Sequence, residues 1–313
     1  MAGGVIIRRF ESDDADRVDD LLDVLAPAKL VTGDLLRYRQ ASEPERARHG
    51  RWVAAQGADI LGYASAYFSW FGGESGRGRI WLGVSEAHRS RGIGTALWEL
   101  AVEHLRDARK LTVEVDDDPA GLGFVERRGF TQYDAEVISV LRPPRTELEP
   151  KPHGGFEVVR LRDAAGREQE LYEFYRTSGG IQPGDPENRV SFHEWRRFIF
   201  ASPLLDDETS ALVLDREGRV VSLSWLLVDR RRQRALNEWT ATLPSHRSRG
   251  LARLAKIASI RWAAGAGITE ILTGNDPDNL PMRELNRRLG YRELFTRRDM
   301  EKVVAPAPEA PAP

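Results

Sequence analysis

The sequence predicts an α/β fold built twice in tandem, and three observations lead there. The segment HRSRGIG beginning at His88 returns as HRSRGLA beginning at His246. The same order of strand-like and helix-like segments surrounds each copy. Between them, centred on residues 142–155, lies a stretch rich in Pro, Gly and charge with neither a helical nor a strand period, as expected of a linker. A chain of 313 residues favours two domains over one. The expected organisation is a first domain at residues 1–143, a linker at 144–154, a second domain at 155–304 and a disordered Pro/Ala tail at 305–313.

The elements repeat in order. VIIRRF opens the first half as a strand and DADRVDDLLDVL follows as an amphipathic helix; FEVVRL and DAAGREQELYEFY do the same in the second. A helical region comes next in each half, around GDLLRYRQAS and VSFHEWRRFIF, where Trp195 and Phe198 read as core. Three apolar strands follow: RWVAAQ, ILGYASAYFSW and RIWLGV, then SALVLD, VVSLSWLLV and ALNEWTATL. DRRRQR, Asp229 to Arg234, reads as a solvated hairpin, and Trp70 and Phe71 with GGESGRGR as a mobile one. Each third strand runs into the repeated segment, where a helix starts. A further strand, KLTVEV or EILTGN, precedes a short helix ending in RRGF or RLGY. The result is an α/β arrangement.

Bulk properties exclude several function classes. Formal net charge is −2 and the pI about 6.4, so nothing draws the chain generally to nucleic acid or anionic lipid. With no cysteine there is no disulfide, thiolate metal site or cysteine nucleophile. The six histidines are scattered without metal-ligand spacing, so no metal is assigned. No apolar run approaches the ~20 residues that span a bilayer, and the first residues lack a signal-peptide core. A cytoplasmic enzyme or binding protein is the expectation.

In the repeated segment, Arg89-Ser90-Arg91-Gly92-Ile93-Gly94-Thr95 opens one helix and Arg247-Ser248-Arg249-Gly250-Leu251-Ala252 opens the other. A helix N-terminus offers unpaired N–H groups that attract an anion. Glycine removes the Cβ that would hold a pyrophosphate off the backbone. Neighbouring arginines add charge-assisted bonds of roughly 1.5–3 kcal/mol each. One copy is equally compatible with a tight strand-to-helix turn; the duplication with the same flanks weighs against that. There is no Gly-x4-Gly-Lys-Ser/Thr loop, and the segment follows a late strand, unlike dinucleotide-binding folds.

VSEAHRSRGIGTALWELA resembles the acyl-CoA-binding motif of the GCN5-related N-acetyltransferases, Arg/Gln-x-x-Gly-x-Gly/Ala, and GFVERRGF and MRELNRRLGY are similar to that family's closing helix. The resemblance covers nearly the whole chain apart from linker and tail. It implies two tandem domains, each a mixed, splayed sheet holding acetyl-CoA between its fourth and fifth strands, and acyl transfer to a small-molecule or peptide amine. No nucleic-acid or membrane partner is implied, and the oligomeric state is open.

The resemblance also assigns roles. The backbone donor for the carbonyl oxygen would come from the strand end near Val84 or Thr242. Carboxylates on this strand serve as general bases in the family, which makes Glu238 the candidate; a period of two puts it on one face with Thr240 and Thr242. Asn275, Asn279 and Asn286 fall near the expected pantetheine arm, where they could bond its amides or act as local caps. The acidic run Glu114 to Asp118 either attracts a cationic substrate or ends a strand in solvent. The family's thiolate-protonating tyrosine corresponds to Val125 and Asn286, neither of which can act as that acid. Glu238 and the Asn cluster make the second domain the expected catalytic unit. The alternative is a pair of degenerate domains that bind acyl-CoA without turnover.

Overall fold

The computed structural model describes residues 4–70, 75–143, 150–151, 154–179 and 190–304. Most of the linker, the whole tail, Phe71 and the first three residues of GGESGRGR lie outside these. The described residues within Met1–Ala135 and Thr296–Pro313 form one compact unit; those within Glu136–Gln182 and Val190–Phe295 form the other.

The first unit runs β1 (Ile6–Arg9), α1 (Ala15–Leu25), α2 (Gly33–Ser42), β2 (Gly50–Gln56), β3 (Asp59–Phe68), β4 (Arg77–Val84), α3 (Ile93–His104), β5 (Lys110–Val115) and α4 (Pro119–Glu126). β6 (Thr131–Leu141) leaves it. The second unit runs β7 (Glu157–Arg160), α5 (Glu168–Ser178), α6 (Phe192–Trp195), β8 (Ala211–Leu214), β9 (Val220–Asp229), β10 (Arg234–Thr242), α7 (Leu251–Gly265), β11 (Glu270–Asn275) and α8 (Leu280–Arg288), and β12 (Arg292–Val303) leaves it. β1 to β4 are successively antiparallel, and β5 lies parallel to β4. β7 to β10 repeat that order, with β11 parallel to β10.

The last strand of each half is exchanged. β12 lies antiparallel on β5, from Arg298 opposite Val115 to Val303 opposite Lys110. β6 lies antiparallel on β11, from Ile271 opposite Leu141 to Asn275 opposite Val137. Each unit thus takes its sixth strand from the other half of the sequence. The exchanged strands are part of the cores: Met300 packs with Leu111 and Val113, and Leu141 with Ile271 and Ile260.

The central strands are covered on both faces, which is why they read as apolar runs without alternation. In β2, Trp52 and Ala54 face α3 through Leu97 and Ala101, while Val53 and Ala55 face α1 through Val18 and Leu22. In the second unit α7 buries Ile257 and Ile260 against Leu226 and Val228. On the opposite face Tyr175 of α5 stacks near Trp225 and meets Trp239 edge-on at 4.6 Å. Trp195 is fully buried, as its helix position suggested. DRRRQR forms the β9–β10 turn, with Arg230 and Arg232 held by Asp206 and Asp229.

Candidate functional site

Each repeated segment lies at the end of a parallel strand pair that separates. β4 and β5 are paired from Arg77 opposite Lys110 to Ile80 opposite Val113, and pairing stops there although both strands run on. β10 and β11 stop at Leu236 opposite Leu272. The two loops share a backbone: Ser90 and Gly92 have φ of 60° and 82°, Ser248 and Gly250 of 60° and 75°. Such left-handed residues turn successive N–H groups toward a common centre. Gly92 and Gly250 are the N-caps of α3 and α7, and neither helix start is capped by its own side chain. A Cβ at Gly92 would meet nothing within 4 Å, so its positive φ is what favours glycine. Arg89 Nε donates to the Val84 carbonyl at 3.3 Å, and Arg247 Nε to the Thr242 carbonyl at 3.4 Å.

In the first unit a cavity of about 420 Å³ opens among β4, β5, α3 and α4. Val84, Arg89, Gly92, Gly94 and Thr95 line it. Arg91 is exposed outside the lining and Ile93 has its side chain in the core, so Ile93 can offer only its N–H. Leu251 is likewise in the core of the second unit, and Arg249 and Ala252 are on or near the surface.

Strand register and the count from each loop glycine make the two clefts comparable. Ile80, Trp98, Val113, Val115 and Val125 line the first cavity, and Phe130 packs on Trp98 at 5.5 Å. The matching places in the second unit hold Asn237, Lys256, Thr273, Asn275, Asn286 and Tyr291. An apolar cleft wall has become polar at every one of these six positions. The second set is bonded together. Lys256 donates to Asn237 Oδ1; Asn237 Nδ2 donates to Ser224 Oγ and the Trp225 carbonyl, both at 3.0 Å. Thr273 Oγ1 donates to the Asn237 carbonyl at 3.2 Å, and Asn286 Nδ2 to Asn275 Oδ1 at 2.6 Å. Lys256 Nζ also lies 5.0 Å from the Tyr291 ring centre. Burial alone lowers the Lys256 ammonium to about 7. Asn286 Oδ1 and the Tyr291 hydroxyl are buried without a hydrogen-bond partner. A buried ammonium without a carboxylate costs several kcal/mol, which stability alone does not explain.

Glu238 is exposed on β10 where the register against β9 shifts between Asn237 and Trp239. This bulge changes the expected face. Thr240 Oγ1 bonds Asn237 Oδ1 and Thr242 Oγ1 meets Ser222 Oγ, whereas Glu238 acts electrostatically on Tyr175 of α5. Burial, with the Glu238 charge, pushes the Tyr175 phenol up, so it stays protonated. Glu238 therefore does not share a face with Thr240 and Thr242, because the extra residue breaks the period of two. β4 keeps its register on β3 from Gly78 to Val84 and has no carboxylate there.

The acidic run is ion-paired. Glu114 meets Lys29 and Arg79, and the Lys29 charge holds its carboxyl down at about 2. Asp116 binds Arg297 at 2.6 Å, Asp117 binds Arg298 at 3.2 Å, and Asp118 accepts from Ala120 N at the start of α4. Asn279 caps α8 through Met282 N, so it is a cap and not part of the polar cluster. Val125 and Asn286, at the tyrosine position, are both buried. Asn237, Lys256 and Thr273 belong to no motif, and the only sequence signal for them is the alignment of the two repeats, which sets Lys256 opposite Trp98.

The acetyltransferase (GNAT) family pattern matches residues 18–130 and again 168–291, and the chain belongs to that family, with two such domains. It is 29% identical over 306 residues to a mycothiol acetyltransferase from Saccharomonospora viridis, spanning 91% of this chain and 95% of that protein. A tandem GNAT protein from the clavulanic acid biosynthesis pathway shares the fold with a TM-score of 0.73 and 18% identity, over 97% of this chain and all of that one. A GCN5-related N-acetyltransferase from Sphaerobacter thermophilus does so at 0.68 and 17%, over 95% of each chain. Acetyltransferases of this family use acetyl-CoA and act on amine acceptors. Among the described residues no group of His, Cys, Asp or Glu could hold a metal, and no helix is long and apolar enough to cross a membrane.

Proposed function

We propose that the chain is an acetyl-CoA-dependent N-acetyltransferase acting on an amine, with chemistry in the second unit. The observation that carries the reading is the pair of like-built loops at the open ends of β4–β5 and β10–β11. Their free amides and flanking arginines suit a diphosphate, and the cleft beneath is the place for a thioester arm. The polar wall and the Glu238 bulge favour the second unit; the apolar wall of the first suits binding. Asn275 and Asn286 would hold the arm of acetyl-CoA, and the backbone near Thr242 would meet its carbonyl.

A lysine-like acceptor, with a pKa of ~10.4, is mostly protonated at neutral pH, so a base must take its proton. Glu238, directly or through a water, does so as the nitrogen attacks the thioester carbonyl. Calorimetry with acetyl-CoA, followed by thiol release over a panel of amines, tests the reading. The acceptor of the mycothiol acetyltransferase belongs on that panel. Acceptor-dependent thiol release is expected. Tight binding with no release from any amine would favour the non-catalytic acyl-CoA-binding alternative.

A further inference from the structure

We propose that Lys256 is the proton donor to the departing coenzyme A sulfur, in place of the absent tyrosine. The inference rests on the reading that the second unit binds acetyl-CoA. Its ground is the comparison of the two cleft walls. Trp98, six residues after the first loop glycine, lines the first cavity together with Ile80 and Val113. Lys256 stands six residues after the second loop glycine and bonds Asn237, the counterpart of Ile80, where β10 parts from β11. An arm laid along the second cleft as the first cavity is laid out would run toward this ammonium, which is itself buried under the wall.

The surroundings fit a donor. The groups facing Lys256 are Asn237 from β10, the Tyr291 ring beyond α8, and the Ser259–Ser224 pair between α7 and β9. All are neutral, since burial pushes the Tyr291 phenol up and keeps it protonated. Burial is what holds the lysine's ammonium down. The buried Tyr291 hydroxyl, on the ring next to Nζ, and Asn286 Oδ1 on α8 have no hydrogen-bond partner, which leaves capacity in the cleft wall for a bound polar molecule. At neutral pH a group titrating near 7 can give up a proton and recover it.

The step balances. As the acceptor nitrogen bonds to the acyl carbon, the carbon–sulfur bond breaks and its electron pair stays on sulfur. The Nζ proton passes to that sulfur, giving the thiol and a neutral lysine. The proton shed by the acceptor nitrogen, taken by Glu238 or water, finally restores the ammonium.

The composition makes the test direct, because the chain has five lysines and no cysteine. Lysine labelled with 13C at Cε gives few resonances, and Lys256→Met assigns the one of interest. Its titration is followed in the intact protein alone, with coenzyme A, and with desulfo-coenzyme A. With coenzyme A the Lys256 resonance should move away from its position in the desulfo complex, because the two ligands differ only in the sulfur that Nζ would face. Identical resonance positions and midpoints in the two complexes would overturn the assignment. A Gly92→Glu chain that takes up no coenzyme A would overturn the underlying reading, and the inference with it. In turnover with the best amine of the panel, Lys256→Met should lower kcat ~10²-fold while the KM for acetyl-CoA stays within a few-fold. An unchanged kcat counts against it.

Discussion

Glu238 owes its position to one extra residue in β10. The bulge between Asn237 and Trp239 turns the carboxylate toward Tyr175 and away from the threonines beyond it. Glu238→Gln keeps the shape and removes the base, so turnover should drop by roughly 10²-fold and its acidic pH limb should vanish. An unaltered pH–rate profile with a verified acceptor would remove Glu238 from the mechanism. Asp299 on β12 gives a second test, of stability. Burial, aided by the Glu114 charge, raises its carboxyl to about 6. A raised carboxyl favours the fold when protonated, so its contribution is complete below about pH 4 and lost as pH rises through 6. Asp299→Asn should accordingly raise the melting temperature by a few degrees at pH 8 and by less at pH 5. Equal shifts at the two pH values would contradict this origin. Glu238 could be named from the sequence as a residue type on a strand. Its facing could not, because a bulge leaves no mark in the alternation of residues.

The loop with its helix is the element that the sequence displays most openly. A glycine with left-handed backbone, a following helix without a side-chain cap and an arginine bonded back to the strand recur in both copies. Gly92→Glu and Gly250→Glu should each abolish one acetyl-CoA binding event in calorimetry. Each places a carboxylate beside the diphosphate and adds ~1 kcal/mol of backbone strain. If neither variant weakens binding, the loops are only turns. The wall of the cleft was far less legible. Lys256 sits within LARLAKIASI, where a single lysine reads as a solvent-facing residue. Its burial follows from the opposition of α7, β10 and Tyr291, elements separated by tens of residues along the chain.

At the scale of the molecule, the exchanged strands make the two halves of the sequence unequal to the two folded units. Residues 1–143 expressed alone would lack β12 on β5 and leave β6 unpaired; the second half would lack β6 on β11. Separately produced halves should be poorly soluble with a marked loss of cooperative unfolding, and co-expression should restore a complex that purifies together. Two well-folded monomeric halves would refute the exchange. The repeated motif, the order of elements and the apolar strands were settled by local composition and spacing, which the chain carries in every conformation. Which strand completes which sheet, where Glu238 faces and how Lys256 comes to lie under the second loop were settled only on folding. Those outcomes depend on pairing and burial between distant segments, and no short stretch of sequence contains both partners.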